Sequence, residues 1–285
     1  NPELATLVAK SDCILVLGAR LGEMTSGGYE LFDTPNPRQK IIHIHADPNE
    51  IGRVYRPEIG LACQSAEFLS TAIDLTAGQS AAPPAAPRAA YERWQQPFQT
   101  PGAVKMEQVI THASEVLPHD AIITNGAGNY AGWLHRYYCY KSYRTQLAPT
   151  SGSMGYGLPA AVAAKLANPS KEVICFAGDG CFQMTMQEFG TAAQYDAKVI
   201  VIVVNNGVYG TIRMHQQRSY PERPSGTTLQ NPDFAGLAQC YGGYGEHVYK
   251  TEEFPAALAR ARAASTSAII ELHTDPSAVS PRTAG

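Results

Sequence analysis

Residues 173–206 read VICFAGDGCFQMTMQEFGTAAQYDAKVIVIVVNN. Two apolar, β-branched runs, Val173–Ala177 and Val199–Val204, each end abruptly in small polar residues: Gly178-Asp179-Gly180 and Asn205-Asn206. Uninterrupted apolar runs of this length suit strands buried on both faces of a parallel sheet. Between Gly180 and Asn205 lie 24 residues, enough for a loop, a helix and the return strand of a right-handed βαβ crossover. Thr185-Met186-Gln187-Glu188 fits a capping box, with Thr185 as N-cap, and Phe182, Met186, Phe189 and Ala193 recur at helical spacing. Parallel strands that end side by side bring Asp179 and Asn206 to one point. A carboxylate and an amide oxygen beside glycines that expose N–H groups suit a hard cation carrying a diphosphate.

The same α/β rhythm runs outward in both directions. Upstream, a helix over about Glu3–Lys10, strands at Cys13–Leu17, Lys40–His45 and about Glu58–Cys63, and a helix at Ala66–Leu75 give a thin parallel sheet, part of a domain rather than a whole one. Ala77 to Pro101 is rich in Ala, Pro and Gln, with Pro83, Pro84 and Pro87, and reads as an irregular linker. A second α/β unit follows, with a helix at Met106–Leu117, a strand at Asp120–Thr124, a short strand at Thr145–Leu147 and an alanine-rich helix from about Pro159 to Ala167. Ala268–Leu272 closes its sheet. The domain reading is 1–78 partial central domain, 79–102 linker and 103–285 diphosphate-binding domain. Glycine-rich loops at strand ends, Asn125–Tyr130, Ser151–Gly157, Gly178–Cys181 and Asn205–Gly210, mark the carboxyl edge of the second sheet, where open α/β folds bind ligands.

Composition narrows the function class. The 285 residues carry a formal net charge of −3 and 44% hydrophobic residues, with no Lys/Arg cluster. That argues against nucleic acid or a membrane surface as partner, and for an anionic ligand held by backbone dipoles and a metal. Six cysteines without C-x-x-C or zinc spacing, and no signal or membrane-length apolar run, point to a reducing, cytoplasmic setting. The chain opens on Asn1-Pro2 rather than Met, and the natural N-terminus is expected upstream. A dinucleotide-type G-x-G-x-x-G after a strand, a nucleophile elbow and a Walker motif are all absent.

With these residues in view, the chain resembles thiamine-diphosphate-dependent enzymes. GDG, 24 residues and NN match their cofactor motif, and the stretch running on to NNGVYGTIRMHQ is similar to the acetolactate-synthase-like branch. So is SGSMGYGLPAAVAAKL at 151–166. VLGARLGEMTSGGY and KIIHIHADPNEIGRVYRPEIGLACQSAEFL resemble the later part of that family's central domain.

The resemblance implies the following roles. Asp179, the Asn206 side-chain oxygen and the Val208 carbonyl ligate Mg²⁺, with diphosphate oxygens and a water completing an octahedron. Gly180 and Cys181 donate N–H groups to the diphosphate, and Asn129 and Tyr130 touch it from the first loop. Gly178, Tyr209 and Gly210 complete the cofactor-binding set. Met154 wedges between the cofactor's rings and imposes a V shape. The Gly152 carbonyl and the Met154 N–H meet the aminopyrimidine, and these two are the catalytic positions in this chain. A glutamate that polarises the pyrimidine belongs to a separate pyrimidine-binding domain, so the chain is expected to be a C-terminal fragment, inactive alone. The implied partners are a 2-keto acid and that missing domain, in a homodimer or homotetramer when full length. The Gly18–Tyr29 loop differs from the FAD-binding version, so FAD is unsupported. Two alternatives stay open: an aldehyde-releasing 2-keto acid decarboxylase of the same superfamily, and a non-catalytic diphosphate-binding module. For Cys181 the readings are a reactive thiol and a role through the backbone alone, and the backbone role is the one expected. His43 and His45 read as plain strand residues, and His112 and His119 as surface. Tyr137, Tyr138 and Tyr140 read as packing or interface residues. His215 divides evenly between a surface helix and a role in substrate access.

Overall fold

The computed structural model describes residues 1–76 and 85–281, which form two compact units, 1–96 and 97–285.

In the first unit, helix α1 (Pro2–Lys10) starts on Asn1, whose Oδ1 accepts from the Glu3 and Leu4 N–H groups. Strands β1 (Cys13–Leu17), β2 (Lys40–His45) and β3 (Ile59–Ala62) form an all-parallel sheet in the order β1-β2-β3. Helix α2 spans Ser65–Thr76. The core is small: Val16, Phe32, Ile41 and Tyr55, while every residue of β3 is exposed.

The linker expectation needs correcting. Helix α3 (Ala85–Trp94) occupies the middle of that stretch, and the Asn1 amide donates to the Ala90 carbonyl. Four alanines supply helix propensity, and Pro87 sits in the first turn, where its missing N–H has no partner to lose. Residues 77–84, with Pro83 and Pro84, lie outside the described residues.

The second unit contains α4 (Met106–Val116), β4 (Ile122–Asn125), α5 (Tyr130–Tyr137), β5 (Gln146–Leu147) and α6 (Gly157–Ala167). Then come β6 (Val173–Gly178), α7 (Asp179–Phe182), α8 (Glu188–Gln194), β7 (Ile200–Asn205) and α9 (Gly210–Ser219). It ends with α10 (Phe234–Cys240), β8 (Tyr244–Val248), α11 (Phe254–Ala263) and β9 (Ala268–His273). Six parallel strands stand in the order β5-β4-β6-β7-β9-β8. Side chains alternate between two cores. Ile174, Phe176, Ile200, Ile202 and Val204 meet α4, α5 and α11 on one face. Val173, Cys175, Val201 and Val203 meet α6, α8 and α10 on the other. This is why the runs are unbroken: neither face of β6 or β7 meets water.

Two further expectations change. β9 does not close the sheet; it lies between β7 and β8, because α11 carries the chain back inside the edge strand. The capping box does not form. Helix α8 begins at Glu188, the Thr185 hydroxyl donates to the Gly155 carbonyl (2.7 Å), and Glu188 accepts from Thr191 (2.7 Å). A tertiary acceptor outcompetes the local one, and the helix divides into α7 and α8 around it.

Candidate cofactor and metal site

The chain leaves β4 toward one face of the sheet, through α5, and leaves β6 toward the other, through α7 and α8. At such a switch point the two outgoing loops part and leave a crevice at the carboxyl edge. A cleft of about 500 Å³ opens there, reaching into solvent. Its lining brings together Asn129 and Tyr130 after β4, Met154, Gly178 to Cys181 after β6, and Asn206 and Val208 to Gly210 after β7. Gly152 is not among the lining residues; it sits two positions before Met154 with φ of +69°.

Asp179 is almost fully buried. Its Oδ1 accepts from the Gly180 N–H (2.8 Å), and its Oδ2 accepts from the Gly207 N–H (2.8 Å) and the Asn231 amide (2.7 Å). Burial pushes its carboxyl above the ordinary aspartate value, and the hydrogen bonds from Asn231, Gly180 and Gly207 oppose that. All these partners are neutral, and among the described residues no Lys, Arg or His lines the cleft. A buried carboxylate without a countercharge is costly, so the site fits a cation.

The other donors are oxygens too. Asn206 Oδ1 accepts from the Val208 N–H (3.1 Å) in a tight turn, made possible by Gly207 at φ +68°. Leu229 N–H bonds to the Gly207 carbonyl and Tyr209 N–H to the Thr227 carbonyl, so the Val208 carbonyl points away from that ladder. Carboxylate, amide oxygen and backbone carbonyl form a donor set for a hard ion such as Mg²⁺. Gly180 is required by close approach: a Cβ there would lie 2.5 Å from Tyr209 Cε1.

Several residues do more than the sequence suggests. The buried Cys181 thiol accepts from the Gly155 N–H (3.1 Å) and from the Tyr130 hydroxyl (3.5 Å), so its side chain pins three loops together. Burial first, then Cys181, pushes the Tyr130 phenol well above its ordinary value. The Asn129 amide donates to the Val279 carbonyl (2.7 Å), and its oxygen accepts from Thr211 (2.8 Å). Asn231 was not anticipated. It bonds Asp179, Asn205 Oδ1 (2.7 Å) and, as acceptor, Gln183 (2.8 Å). A polar residue before a proline, Asn231-Pro232, was its only local signal.

The histidines divide. His43 is buried, with Nε2 3.0 Å from the Ala19 carbonyl, while His119 is exposed. His112 is half-buried, edge-on to Phe254, rather than on the surface. His215 lies exposed on α9, with Arg218 3.1 Å from its Nδ1. Tyr137 and Tyr138 are buried in the core, and Tyr138 packs on Tyr140.

A thiamine pyrophosphate enzyme C-terminal TPP-binding domain matches residues 126–272, and a thiamine pyrophosphate enzyme central domain matches residues 1–71. The chain belongs to the thiamine pyrophosphate enzyme family. Among relatives in this family, the acetolactate synthase large subunit of Pyropia yezoensis is 33% identical over 82% of this chain and 41% of its own length. That of Parasynechococcus marenigrum is 31% identical over 93% of the chain and 44% of its length. The Corynebacterium glutamicum large subunit is 33% identical over 89% and 42%. The chain thus spans less than half the length of these thiamine pyrophosphate enzymes. Among its described residues, no helix is long and apolar enough to cross a membrane.

Proposed function

We propose that this chain anchors thiamine diphosphate through Mg²⁺ in an enzyme that decarboxylates a 2-keto acid and joins the remaining fragment to a second carbonyl compound. The observation that carries the reading is Asp179: a buried carboxylate with neutral partners, beside the oxygens of Asn206 and Val208, in a glycine-lined cleft. In this reading those three oxygens hold the ion and the Cys181 N–H serves the diphosphate at the start of α7, whereas the Gly180 N–H, expected from the sequence to do the same, is taken by Asp179 Oδ1. Met154, partly buried against the core, supports the organic part of the cofactor. When bound, thiamine diphosphate supplies an electron sink for the carbon that loses CO₂.

Among the described residues Asp179 is the only carboxylate lining the cleft, and it is committed to the cation. The group that polarises the pyrimidine ring must then come from a pyrimidine-binding domain, and the chain alone turns over no keto acid. The cysteines, all free, fit a reducing compartment.

The test is calorimetric. Thiamine diphosphate binds the chain with Mg²⁺ and not with EDTA. Asp179→Asn lowers the Mg²⁺-dependent affinity by more than ~100-fold, beyond the 10–100-fold typical of losing an outer-shell partner. Binding that ignores both Mg²⁺ and the substitution would refute the anchor. Mass analysis of products from pyruvate, with a pyrimidine-binding domain supplied, then separates carbon–carbon ligation from release of an aldehyde.

A further inference from the structure

Outside the cleft lining, His247 on β8 and Glu271 and His273 on β9 converge at the edge of the large sheet. One ligand atom from each lies within 4.8 Å of the others. His247 Nδ1 is 3.1 Å from His273 Nε2 and 3.5 Å from Glu271 Oε2; His273 Nε2 is 3.6 Å from Glu271 Oε1. For metal–ligand bonds of about 2.0–2.1 Å, tetrahedral geometry separates ligand atoms by about 3.3 Å. We infer that His247, Glu271 and His273 form a second metal site, for a borderline divalent ion such as Zn²⁺, apart from the Mg²⁺ position.

The surroundings fit such a site. The far nitrogen of His247, Nε2, lies 3.2 Å from Asp233 Oδ1. A proton held there leaves the Nδ1 lone pair directed at the cluster, the carboxylate–histidine–metal pattern of imidazole ligands. The Tyr249 ring stacks on His273 at 4.3 Å and 13°, which fixes the second imidazole. Glu271 is buried and immobilised. Oε2 accepts from the Phe234 and Ala235 N–H groups (2.9 and 3.2 Å), while Oε1 accepts one bond, from Asn205 (2.7 Å). Oε1 therefore keeps a lone pair for a metal, and His273 is the nearer imidazole to it. Two imidazoles and one carboxylate, half-open to solvent, favour Zn²⁺ over Mg²⁺, which prefers an all-oxygen octahedron. Through Asn205 and Asn231 the cluster also touches Asp179, so the two metal positions share one hydrogen-bonded chain. The competing arrangement is a plain hydrogen bond between the two imidazoles.

The test uses the whole chain with its thiols alkylated and the Mg²⁺ position saturated. Zn²⁺ is added, free metal is removed, and the retained Zn²⁺ is counted. One ion per chain is expected. The His247→Ala/His273→Ala pair should lose it, and Asp233→Asn should weaken it about tenfold. X-ray absorption of the Zn²⁺-loaded wild-type chain decides even if the double variant does not fold. A nitrogen and oxygen shell with imidazole scattering supports the site. No retained Zn²⁺, a shell without imidazole, or full retention in a folded double variant overturns it.

Discussion

Asp179 and Asn231 show how little of a site one residue carries alone. The carboxylate is destabilised by burial and steadied by three N–H donors, one of them the Asn231 amide. That same amide reaches Asn205, and its oxygen takes a bond from Gln183. Truncating Asn231 leaves Asp179 and Gln183 each short of a partner. Asn231→Ala is therefore expected to weaken Mg²⁺-dependent thiamine diphosphate binding about 10–100-fold in calorimetry, while the far-ultraviolet circular dichroism stays unchanged. Asp179 and Asn206 were legible in the sequence because each ends a conspicuous strand. Asn231 was not, because it lies 52 positions from Asp179 with no periodic pattern to link them.

Between elements, α10 packs closely on β8. A Cβ on Gly245 would overlap the Ala235 carbonyl. Gly245→Ala must push the helix off the edge strand, at a cost of about 1–3 kcal/mol or more, read as a lower urea midpoint. The same strand is tied to α11 by Glu246, which pairs with Arg260 and takes a hydrogen bond from Tyr244. The Arg260 guanidinium holds the Glu246 carboxyl below its ordinary value of 4.5. Because the folded pKa is depressed, the pair stabilises above the unfolded value, and this is lost as pH falls through the folded value. Thermal melts below about pH 4.5 should therefore fall more steeply for the wild type than for Glu246→Gln. The effect should be small because Arg260 is half-exposed. The failed capping box belongs to this scale. Thr185 and Glu188 had the right spacing, but the Gly155 carbonyl lay close enough to take the hydroxyl.

Across the whole molecule, the two units differ in self-sufficiency. The second buries both faces of its four inner strands, β4, β6, β7 and β9, and every described residue lining the cleft belongs to it. The first has three strands, a core of a few side chains, and Leu15, Ile59, Leu61 and Ile73 exposed. Residues 97–285 expressed alone are expected to melt cooperatively and to bind Mg²⁺–thiamine diphosphate within about threefold of the full chain. Residues 1–96 alone should show no cooperative transition in calorimetry. A non-cooperative melt of 97–285 would contradict this.

By itself the sequence determined the buried strands, their glycine-rich ends and the family of the cofactor. Those signals are local: an apolar run, a turn and a fixed interval between them. Only the tertiary structure decided which strand is the edge, where α3 forms, and that Asn231, Glu271 and the His247–His273 pair join the polar network. The physical reason is the crossover connection. Parallel strands adjacent in space are separated in the chain by whole helices, so groups that meet across them leave no spacing for the sequence to display.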